Sequence, residues 1–451
     1  MSDGLKINSP FGEFTIPFNE EAVLDFARKI NHAAESESTL EEKAICDYLN
    51  SKELDELESE WLFWEDKRVP VCLHDLDSWL NRDFEIKHTS SYSNYGRKLA
   101  NIIYQKFKYP EGEKRFATRI LYFLTHKHTG ISYVWKVMPL DGIHIECQIF
   151  VNANDEGASI EAIKNSFDTF VQTEGVLKNN AFNANYQFIS KPETTFQDVV
   201  MSEEQDRVIQ RNIVKFVGNL SFYEERNLPT SRGVLITGPP GTGKTLTCSA
   251  VMNEVECTLI YITADAIQEQ GKIEELYELA QGLSPTVVIV EDIDTLGGLD
   301  RRETGNHPLL GEFLNCMNGV KSNDGVITIA TTNYPEHLDK ALTRAGRFDI
   351  KLEFGLPNEK LRMHILEKYL SETNRGKKIK INELVKKTEG FTGAFLKEIV
   401  MLATISAFEE NGYDSKTKIE QKHLEEALDS LLENRNDHLQ TKQSTNAGFH
   451  H

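Results

Sequence analysis

The second half of this 451-residue chain contains five short apolar runs, each separated from the next by a segment long enough for a helix. The runs are GVLITG (233–238), TLIYITA (258–264), TVVIVED (286–292), VITIATTN (326–333) and IKLEFG (350–355). Short apolar runs that alternate with helices indicate a parallel sheet with helices on both faces. The functional groups of such a sheet gather at the carboxyl ends of its strands. We therefore expect an α/β fold with a core of five parallel strands.

A phosphate-binding loop follows the first run. Residues 238–245 read GPPGTGKT, which fits the pattern GxxxxGK[ST] between a strand and a helix. The glycines let backbone N–H groups converge on phosphate oxygens at the start of the helix. Lys244 is expected to neutralise phosphate charge, and the Thr245 hydroxyl is expected to bind Mg²⁺. The predicted nucleotide-binding residues of this loop are Gly238, Pro239, Pro240, Gly241, Thr242, Gly243, Lys244, Thr245 and Leu246.

Hydrolysis also needs a carboxylate near the metal, a group that holds water and additional positive charge. The third run ends in Glu291 and Asp292. The fourth run ends in Asn333, which is placed to hold the attacking water or the terminal phosphate. Arg344 and Arg347, in LTRAGRFD, offer the positive charge, although each arginine read alone is also compatible with a surface ion pair.

The first half of the chain has a different pattern. Residues 1–112 carry apolar positions mostly at helical spacing, as in EEAVLDFARKINHA (20–33) and NYGRKLANIIYQKFK (94–108). Residues 113–192 contain short alternating runs between turn residues, which predict a small α+β region with an antiparallel meander. Residues 436–451 are polar enough to predict a disordered tail.

Charge and cysteine usage narrow the choice of partners and compartment. With 50 Lys and Arg against 70 Asp and Glu residues, the formal charge is −20, which repels nucleic acids and acidic membranes. Twelve acids lie within residues 34–66, where solvated helix faces are the simplest interpretation and an acidic docking surface is the alternative. The six scattered cysteines are typical of buried thiols in a reducing compartment. Without a leader or a long apolar run, a cytoplasmic protein with no membrane insertion is expected.

Four segments together resemble the AAA ATPases: GPPGTGKT, the apolar run that ends in acids, TTNYPEHLDKALTRAGRFD and TEGFTGAFL. The resemblance covers residues 193–435 and implies an AAA ATPase core at 193–356 followed by a helical lid at 357–435. It also implies Mg²⁺-dependent ATP hydrolysis and a homo-oligomeric ring of six or seven subunits.

The same resemblance implies roles for individual residues. Asn333 takes the place of the first sensor, and Arg344 and Arg347 take the place of fingers that enter the neighbouring subunit's site. Such an arginine is worth roughly 10³ to 10⁵ in rate. The remaining residues that the resemblance assigns to nucleotide binding are Asp198, Gly393 and Ala394.

A narrower resemblance involves the segment that begins TTFQDVV at residue 194, together with VEDID and LLGEFLNCMNGVKSNDGVITIATTN. These segments look like the AAA subgroup typified by the mitochondrial chaperone that delivers the Rieske iron–sulfur protein across a membrane. The N-terminal half of this chain shows no motif of that chaperone and no transmembrane helix. Membrane residence and a Rieske-type client are therefore not implied.

The order of the two carboxylates is unusual. The common AAA order is Asp then Glu, whereas here Glu291 takes the metal position and Asp292 the water position. One interpretation is an inactive site, because Asp is one methylene shorter than Glu. The other is that both carboxylates keep their roles with the side chains exchanged, which the intact Lys244, Thr245 and Asn333 favour.

The loop after the second apolar run also departs from the family pattern. Many AAA rings that thread proteins carry an aromatic–hydrophobic–glycine triplet there, but this chain has Glu269, Gln270 and Gly271. A polar loop lacks the apolar contact by which a ring grips an unfolded chain.

Three functions follow as hypotheses. The first is an ATP-driven chaperone or translocase that remodels a protein client. The second is a nucleotide-controlled switch or scaffold, in which residues 1–192 hold or release a partner effector. The third is a nucleic-acid motor, against which the net charge of −20 argues.

Overall fold

The computed structural model describes residues 5–9, 12–16, 38–64, 66–93, 95–140, 144–263, 266–267, 269–295, 308–317, 323–338, 342, 346–376 and 378–433. Three predictions fall outside these residues: the helix at 20–33, the finger Arg344 and the polar tail at 436–451. The chain divides into two compact units, Met1–Val171 and Gln172–His451. None of the helices in the described ranges is both long and apolar enough to cross a membrane.

The first unit is built on a six-stranded antiparallel sheet. The strands of this unit are β1 (Leu5–Ser9), β2 (Gly12–Ile16), β3 (Glu58–Trp64), β4 (Phe84–Ser90), β5 (Tyr92–Ser93), β6 (Lys98–Leu99), β7 (Ile103–Tyr109), β8 (Gly112–His126), β9 (Ser132–Pro139) and β10 (Ile145–Val151). The sheet has the order β3-β10-β9-β8-β4, and β7 also pairs with β8. The other strands form two separate pairs, β1 with β2 and β5 with β6.

The prediction that residues 1–112 are mostly helical is wrong for the part of that region which the structure describes. It contains two α-helices, α1 (Leu40–Tyr48) and α2 (Val69–Asp83), but also three strands of the large sheet, β3, β4 and β7. The segment 94–108, predicted as a helix, instead supplies β6 and β7. The spacing of its apolar residues is compatible with a helix or a strand. The segment forms a strand because the backbone of β7 pairs with that of β8.

Aromatic side chains fill the core of this unit. Trp79 of α2 and Trp135 of β9 are fully buried, with ring centroids 5.4 Å apart. Phe167 of α3 (Ile160–Thr173) packs 5.2 Å from the Trp79 ring. The α1 helix contributes Ile45 to a second cluster that includes Phe123 of β8. Both clusters exclude water from the sheet and stabilise it.

The second unit contains a six-stranded parallel sheet. Its strands are β11 (Ala181–Asn183), β12 (Arg232–Thr237), β13 (Thr258–Thr263), β14 (Thr286–Glu291), β15 (Val326–Thr332) and β16 (Ile350–Glu353), in the order β11-β13-β14-β15-β12-β16. The last five coincide with the five apolar runs. The short β11 is an addition that sequence periodicity did not reveal, because three residues are too few to show a pattern.

Helices surround this sheet and continue into a C-terminal bundle. The helices of the core are α4 (Glu203–Ile209), α5 (Lys215–Val217), α6 (Leu220–Glu224), α7 (Lys244–Glu254), α8 (Lys272–Gly282) and α9 (Pro308–Met317). The helices of the lid are α10 (Glu359–Ser371), α11 (Ile381–Lys387), α12 (Gly393–Glu410) and the helix at 421–433. The lid has its own apolar core, which includes Leu366, Val385, Leu396 and Leu428. Because β12 lies between β15 and β16, its carboxyl end opens into the crevice where ligands bind in such sheets.

Candidate functional site

The phosphate-binding loop connects β12 to α7. Gly238 and Gly241 have positive φ angles of 149° and 76°. A Cβ atom on Gly238 would lie 2.0 Å from the Phe354 carbonyl oxygen, and one on Gly241 would lie 2.8 Å from the Ala394 Cβ. Both positions therefore require glycine. The loop is held between the last strand of the sheet and the lid, with its backbone free to approach a phosphate.

Lys244 joins this loop to the end of a neighbouring strand. Lys244 is 6% exposed, and its ammonium group donates hydrogen bonds to the carbonyl oxygens of Gly238 (2.8 Å) and Pro239 (2.9 Å) and to Asn333 Oδ1 (2.7 Å). Burial lowers the pKa of Lys244, and the nearby Asp292 opposes that shift. The cation is thus available beside the loop, where a phosphate group would compete for it.

Asn333 connects Lys244 to Asp292, the predicted catalytic acid. Its Nδ2 donates a hydrogen bond to Asp292 Oδ1 at 2.9 Å. Burial and the nearby Asp294 raise the pKa of Asp292, while Lys244 and Asn333 oppose the shift. Asp292 also has a positive φ of 48°, and its N–H donates to Thr331 Oγ1 at 3.0 Å. Lys244 of α7 and the residues that directly follow β15 and β14 therefore form one hydrogen-bonded chain, Lys244–Asn333–Asp292.

Glu291 has a different environment from its neighbour. It is the last residue of β14, and its Oε2 accepts a hydrogen bond from the Tyr261 hydroxyl at 2.7 Å. Its Oε1 is buried, and no hydrogen-bond donor to it is found among the residues that the structure describes. A buried carboxylate oxygen without a donor fits a site that receives a cation or water.

A cavity of about 400 Å³ lies over the phosphate loop. The predicted residues that line it are Asp198, Pro240, Gly241, Thr242, Gly243, Lys244, Thr245, Leu246, Asp292, Asn333, Gly393 and Ala394. The predicted residues Gly238, Pro239, Glu291 and Arg347 are not among its lining residues. The size of the cavity is in the range of small-molecule sites, and its glycines, cation and carboxylates suit a nucleoside triphosphate with Mg²⁺.

Five further lining residues were missed by the sequence analysis: Val199, Val200, Ile365, Tyr369 and Lys397. The first two directly follow Asp198 in the chain, so their position was an available signal. Ile365 and Tyr369 are four residues apart on α10, a spacing that puts both on one helix face. No local sequence pattern indicates that this face of α10 points toward the phosphate loop rather than toward the core of the lid.

The side chain of Asp198 is engaged in contacts within the protein. Its carboxylate accepts hydrogen bonds from the Thr195 N–H (2.9 Å) and hydroxyl (3.0 Å) and from Lys368 Nζ (2.9 Å). The Thr195 backbone N–H, the Lys368 ammonium and the Thr195 hydroxyl lower the pKa of Asp198 to about 2. This carboxylate ties the segment before the core to α10 of the lid and thereby places Val199 and Val200 at the cavity.

The lid also contacts the phosphate loop directly. The Ala394 N–H, at the start of α12, donates a hydrogen bond to the Gly241 carbonyl oxygen at 3.0 Å. Thr392 caps this helix, since its hydroxyl accepts from the Phe395 N–H at 3.5 Å. Gly393 and Ala394, which the resemblance assigns to nucleotide binding, therefore lie against the phosphate loop.

Arg347 lies at the opposite end of the sheet from the phosphate loop. A Cβ on Gly233, near the amino end of β12, would be 1.9 Å from the Arg347 carbonyl oxygen. A strand rises about 3.3 Å per residue, so the five residues from Gly233 to Gly238 span roughly 16 Å. The backbone of Arg347 therefore lies well away from the phosphate loop of its own chain. Arg344 lies outside the described residues.

Comparison with protein families gives two matches. Residues 234–356 match the family described as "ATPase family associated with various cellular activities (AAA)". Residues 378–426 match the family described as "AAA+ lid domain". The first match contains the phosphate loop and both carboxylates, and the second contains Gly393 and Ala394.

Curated relatives match about half of the chain. An "ATP-dependent zinc metalloprotease YME1 homolog" of Schistosoma mansoni is 32% identical over 255 residues, which cover 54% of this chain and 38% of that protein. An "ATP-dependent zinc metalloprotease FtsH 2" of Thermoanaerobacter sp. (strain X514) is 32% identical over 274 residues, 58% of this chain and 52% of that protein. A "Cell division cycle protein 48 homolog" of Archaeoglobus fulgidus is 30% identical over 224 residues, 48% of this chain and 31% of that protein. The chain thus spans between a third and about half of the length of these relatives.

Proposed function

Because residues 234–356 form an AAA ATPase domain and residues 378–426 form an AAA+ lid domain, we propose that this protein hydrolyses ATP and uses the energy to remodel or translocate a protein client. The expected fold class, an α/β AAA core with a helical lid, is confirmed, as is the expected class of domain, an ATPase domain that uses ATP and Mg²⁺. The observation that carries the proposal is the hydrogen-bonded chain Lys244–Asn333–Asp292 beside the glycine-rich loop.

The proposed roles follow from the positions of the side chains. Lys244 and the N–H groups at the start of α7 bind the terminal phosphates, and Thr245 and Glu291 hold the metal, directly or through water. Mg²⁺ bound there would neutralise charge on the phosphates. Asn333 orients the attacking water, and Asp292, whose pKa is raised, accepts its proton. The reversed order of the two acids thus keeps both functions.

The ring and its contacts are part of the same proposal. Arg347 lies far from the phosphate loop of its own chain, which supports a role for Arg344 and Arg347 in the site of a neighbouring subunit. A homo-oligomeric ring of six or seven subunits would provide that arrangement. The subgroup typified by the Rieske-protein chaperone is the proposed affiliation, supported by the Glu291–Asp292 order.

Complementation between two inactive variants tests the mechanism and the ring together. Asp292→Asn keeps both arginines but loses the proton acceptor, whereas Arg344→Ala keeps its own acids but lacks one of the two arginine fingers. Each alone should lose at least about 100-fold in ATPase rate. Subunits mixed before assembly should recover up to about a quarter of the wild-type rate, because only an Arg344→Ala site next to an Asp292→Asn subunit is complete.

The control is a mixture of Asp292→Asn with Lys244→Ala, in which every site lacks one of its own groups. This mixture should stay inactive. Asp292→Asn by itself should assemble and retain bound ATP after gel filtration. Rapid turnover by Asp292→Asn would refute its role, and an inactive first mixture would refute action between subunits.

The alternative function is a nucleotide-controlled switch that holds or releases a partner effector. It is favoured by one observation, the polar sequence Glu269, Gln270 and Gly271 at the position where threading rings carry an aromatic residue. Gly271 is moreover fixed by a hydrogen bond from its N–H to Glu312 Oε2 at 2.9 Å. A single partner that copurifies only in one nucleotide state, without unfolding of a client, would support the switch over the remodelling function.

A further inference from the structure

Tyr261 contacts one of the proposed metal-binding acids from a neighbouring strand. It lies in β13, where its residue partner on β14 is Ile289, whereas Glu291 pairs with Thr263. Tyr261 and Glu291 are therefore diagonal neighbours on one face of the sheet, a separation that a long aromatic side chain can bridge. The Tyr261 hydroxyl donates to Glu291 Oε2 at 2.7 Å.

Because of this hydrogen bond, the two carboxylate oxygens of Glu291 have different environments. Oε2 is occupied by the tyrosine, while Oε1 is buried and has no donor among the described residues. Oε1 is therefore the oxygen of Glu291 that Tyr261 leaves without a hydrogen bond.

The length of the glutamate makes such an anchor useful. Glu has one more rotatable bond than Asp, so an unanchored Glu at the metal position has more conformations to lose when it binds. We propose that Tyr261 is a positioning residue. Its hydroxyl holds Glu291 Oε2, so that Oε1 is the oxygen presented to the Mg²⁺ shell. This contact offsets the additional conformational entropy that the longer glutamate side chain would otherwise lose when it binds. The inference rests on the proposed ATPase function, in which Glu291 serves the metal.

A double-mutant cycle on nucleotide binding tests this role. The variants are Tyr261→Phe, Glu291→Asp and the double variant, and the probe is a fluorescent ATP analogue titrated with Mg²⁺ and, separately, in a chelator. Tyr261→Phe should weaken Mg²⁺-dependent binding about 10-fold, as expected for loss of a hydrogen bond to a charged group. Binding in chelator should not change. In the Glu291→Asp background the effect should fall below about 2-fold, because the shorter acid does not reach the hydroxyl.

Tyr277→Phe is the matched control. Tyr277 is a buried tyrosine of the same domain, and its hydroxyl hydrogen-bonds with Thr328 Oγ1 at 2.9 Å, away from the carboxylates. The Tyr277→Phe variant should have a lower melting temperature but the same Mg²⁺ dependence of nucleotide binding as the wild type. Tyr261→Phe could instead lose the same affinity for the nucleotide with and without Mg²⁺, or in the wild-type and Glu291→Asp backgrounds. Either result would show that Tyr261 only stabilises the core. A wild-type protein that binds no nucleotide would instead refute the proposed function.

Discussion

Asp292 has a backbone conformation that few side chains tolerate. Its φ of 48° is in the left-handed region, where Asp and Asn are several-fold enriched over most other residues. Glu291, by contrast, belongs to a strand, in which its longer side chain causes no backbone strain. The Glu–Asp order therefore has a structural reason: the shorter acid occupies the position that requires a left-handed residue.

Two substitutions that both remove the Asp292 carboxylate should separate its chemical and conformational roles. Asp292→Asn tolerates the left-handed backbone, and we expect its free energy of unfolding to stay near that of the wild type. Asp292→Ala should lose about 1 kcal/mol more, because alanine lacks that tolerance. Both should be inactive in ATP hydrolysis. Denaturant unfolding of the isolated proteins without nucleotide measures the difference, and equal stabilities would contradict a conformational role.

Among the secondary-structure elements, α8 and α9 are linked by one carboxylate. Glu312 of α9 accepts hydrogen bonds from the N–H groups of Gly271 (2.9 Å), Ile273 (2.9 Å) and Glu274 (3.0 Å) at the start of α8. Gly271 begins α8 with a φ of 88° and offers no side chain for capping. The acid supplied by α9 takes the place of a local cap and also interacts favourably with the helix dipole.

Removal of this distant cap should destabilise the loop and the helix together. We expect Glu312→Ala to lower the free energy of unfolding by about 1 to 2 kcal/mol, and Glu312→Gln by less, because one acceptor oxygen remains. Glu254→Ala, at the exposed carboxyl end of α7, is the control and should cost nothing measurable. Amide exchange of residues 271–274 should rise in Glu312→Ala. Unchanged exchange there would show that the cap is not needed.

For the whole molecule, charge is the property that the amino-acid composition sets most directly. The chain as a whole has a net charge of −20. Its second unit contains the phosphate loop. A local cation such as Lys244 is sufficient for a nucleotide, whereas a nucleic-acid backbone requires an extended basic surface.

We accordingly expect no strong binding of DNA or RNA. Fluorescence anisotropy with single- and double-stranded oligonucleotides should show at most weak association at about 50 mM salt, which disappears at about 200 mM. ATP binding by the same preparation should persist at both salt concentrations and serves as the positive control. Tight binding of an oligonucleotide with a steep salt dependence would instead support a nucleic-acid motor.

The sequence alone predicted the parts of the site that depend on short-range chemistry. The run GPPGTGKT between a strand and a helix needs its glycines for backbone geometry, and the strands β12 to β16 are apolar because both faces of a parallel sheet are covered. The carboxyl ends of those strands then place Asp292 and Asn333 at one edge, as their hydrogen bond shows.

Tertiary structure decided the rest, because those features depend on residues far apart in the chain. The spacing in 94–108 suits a helix or a strand, and only the pairing with β8 settled it. Val199, Ile365 and Tyr369 reach the cavity because a carboxylate ties the segment before the core to the lid. The anchoring of Glu291 by Tyr261 joins residues 30 positions apart, and no local pattern encodes such a contact.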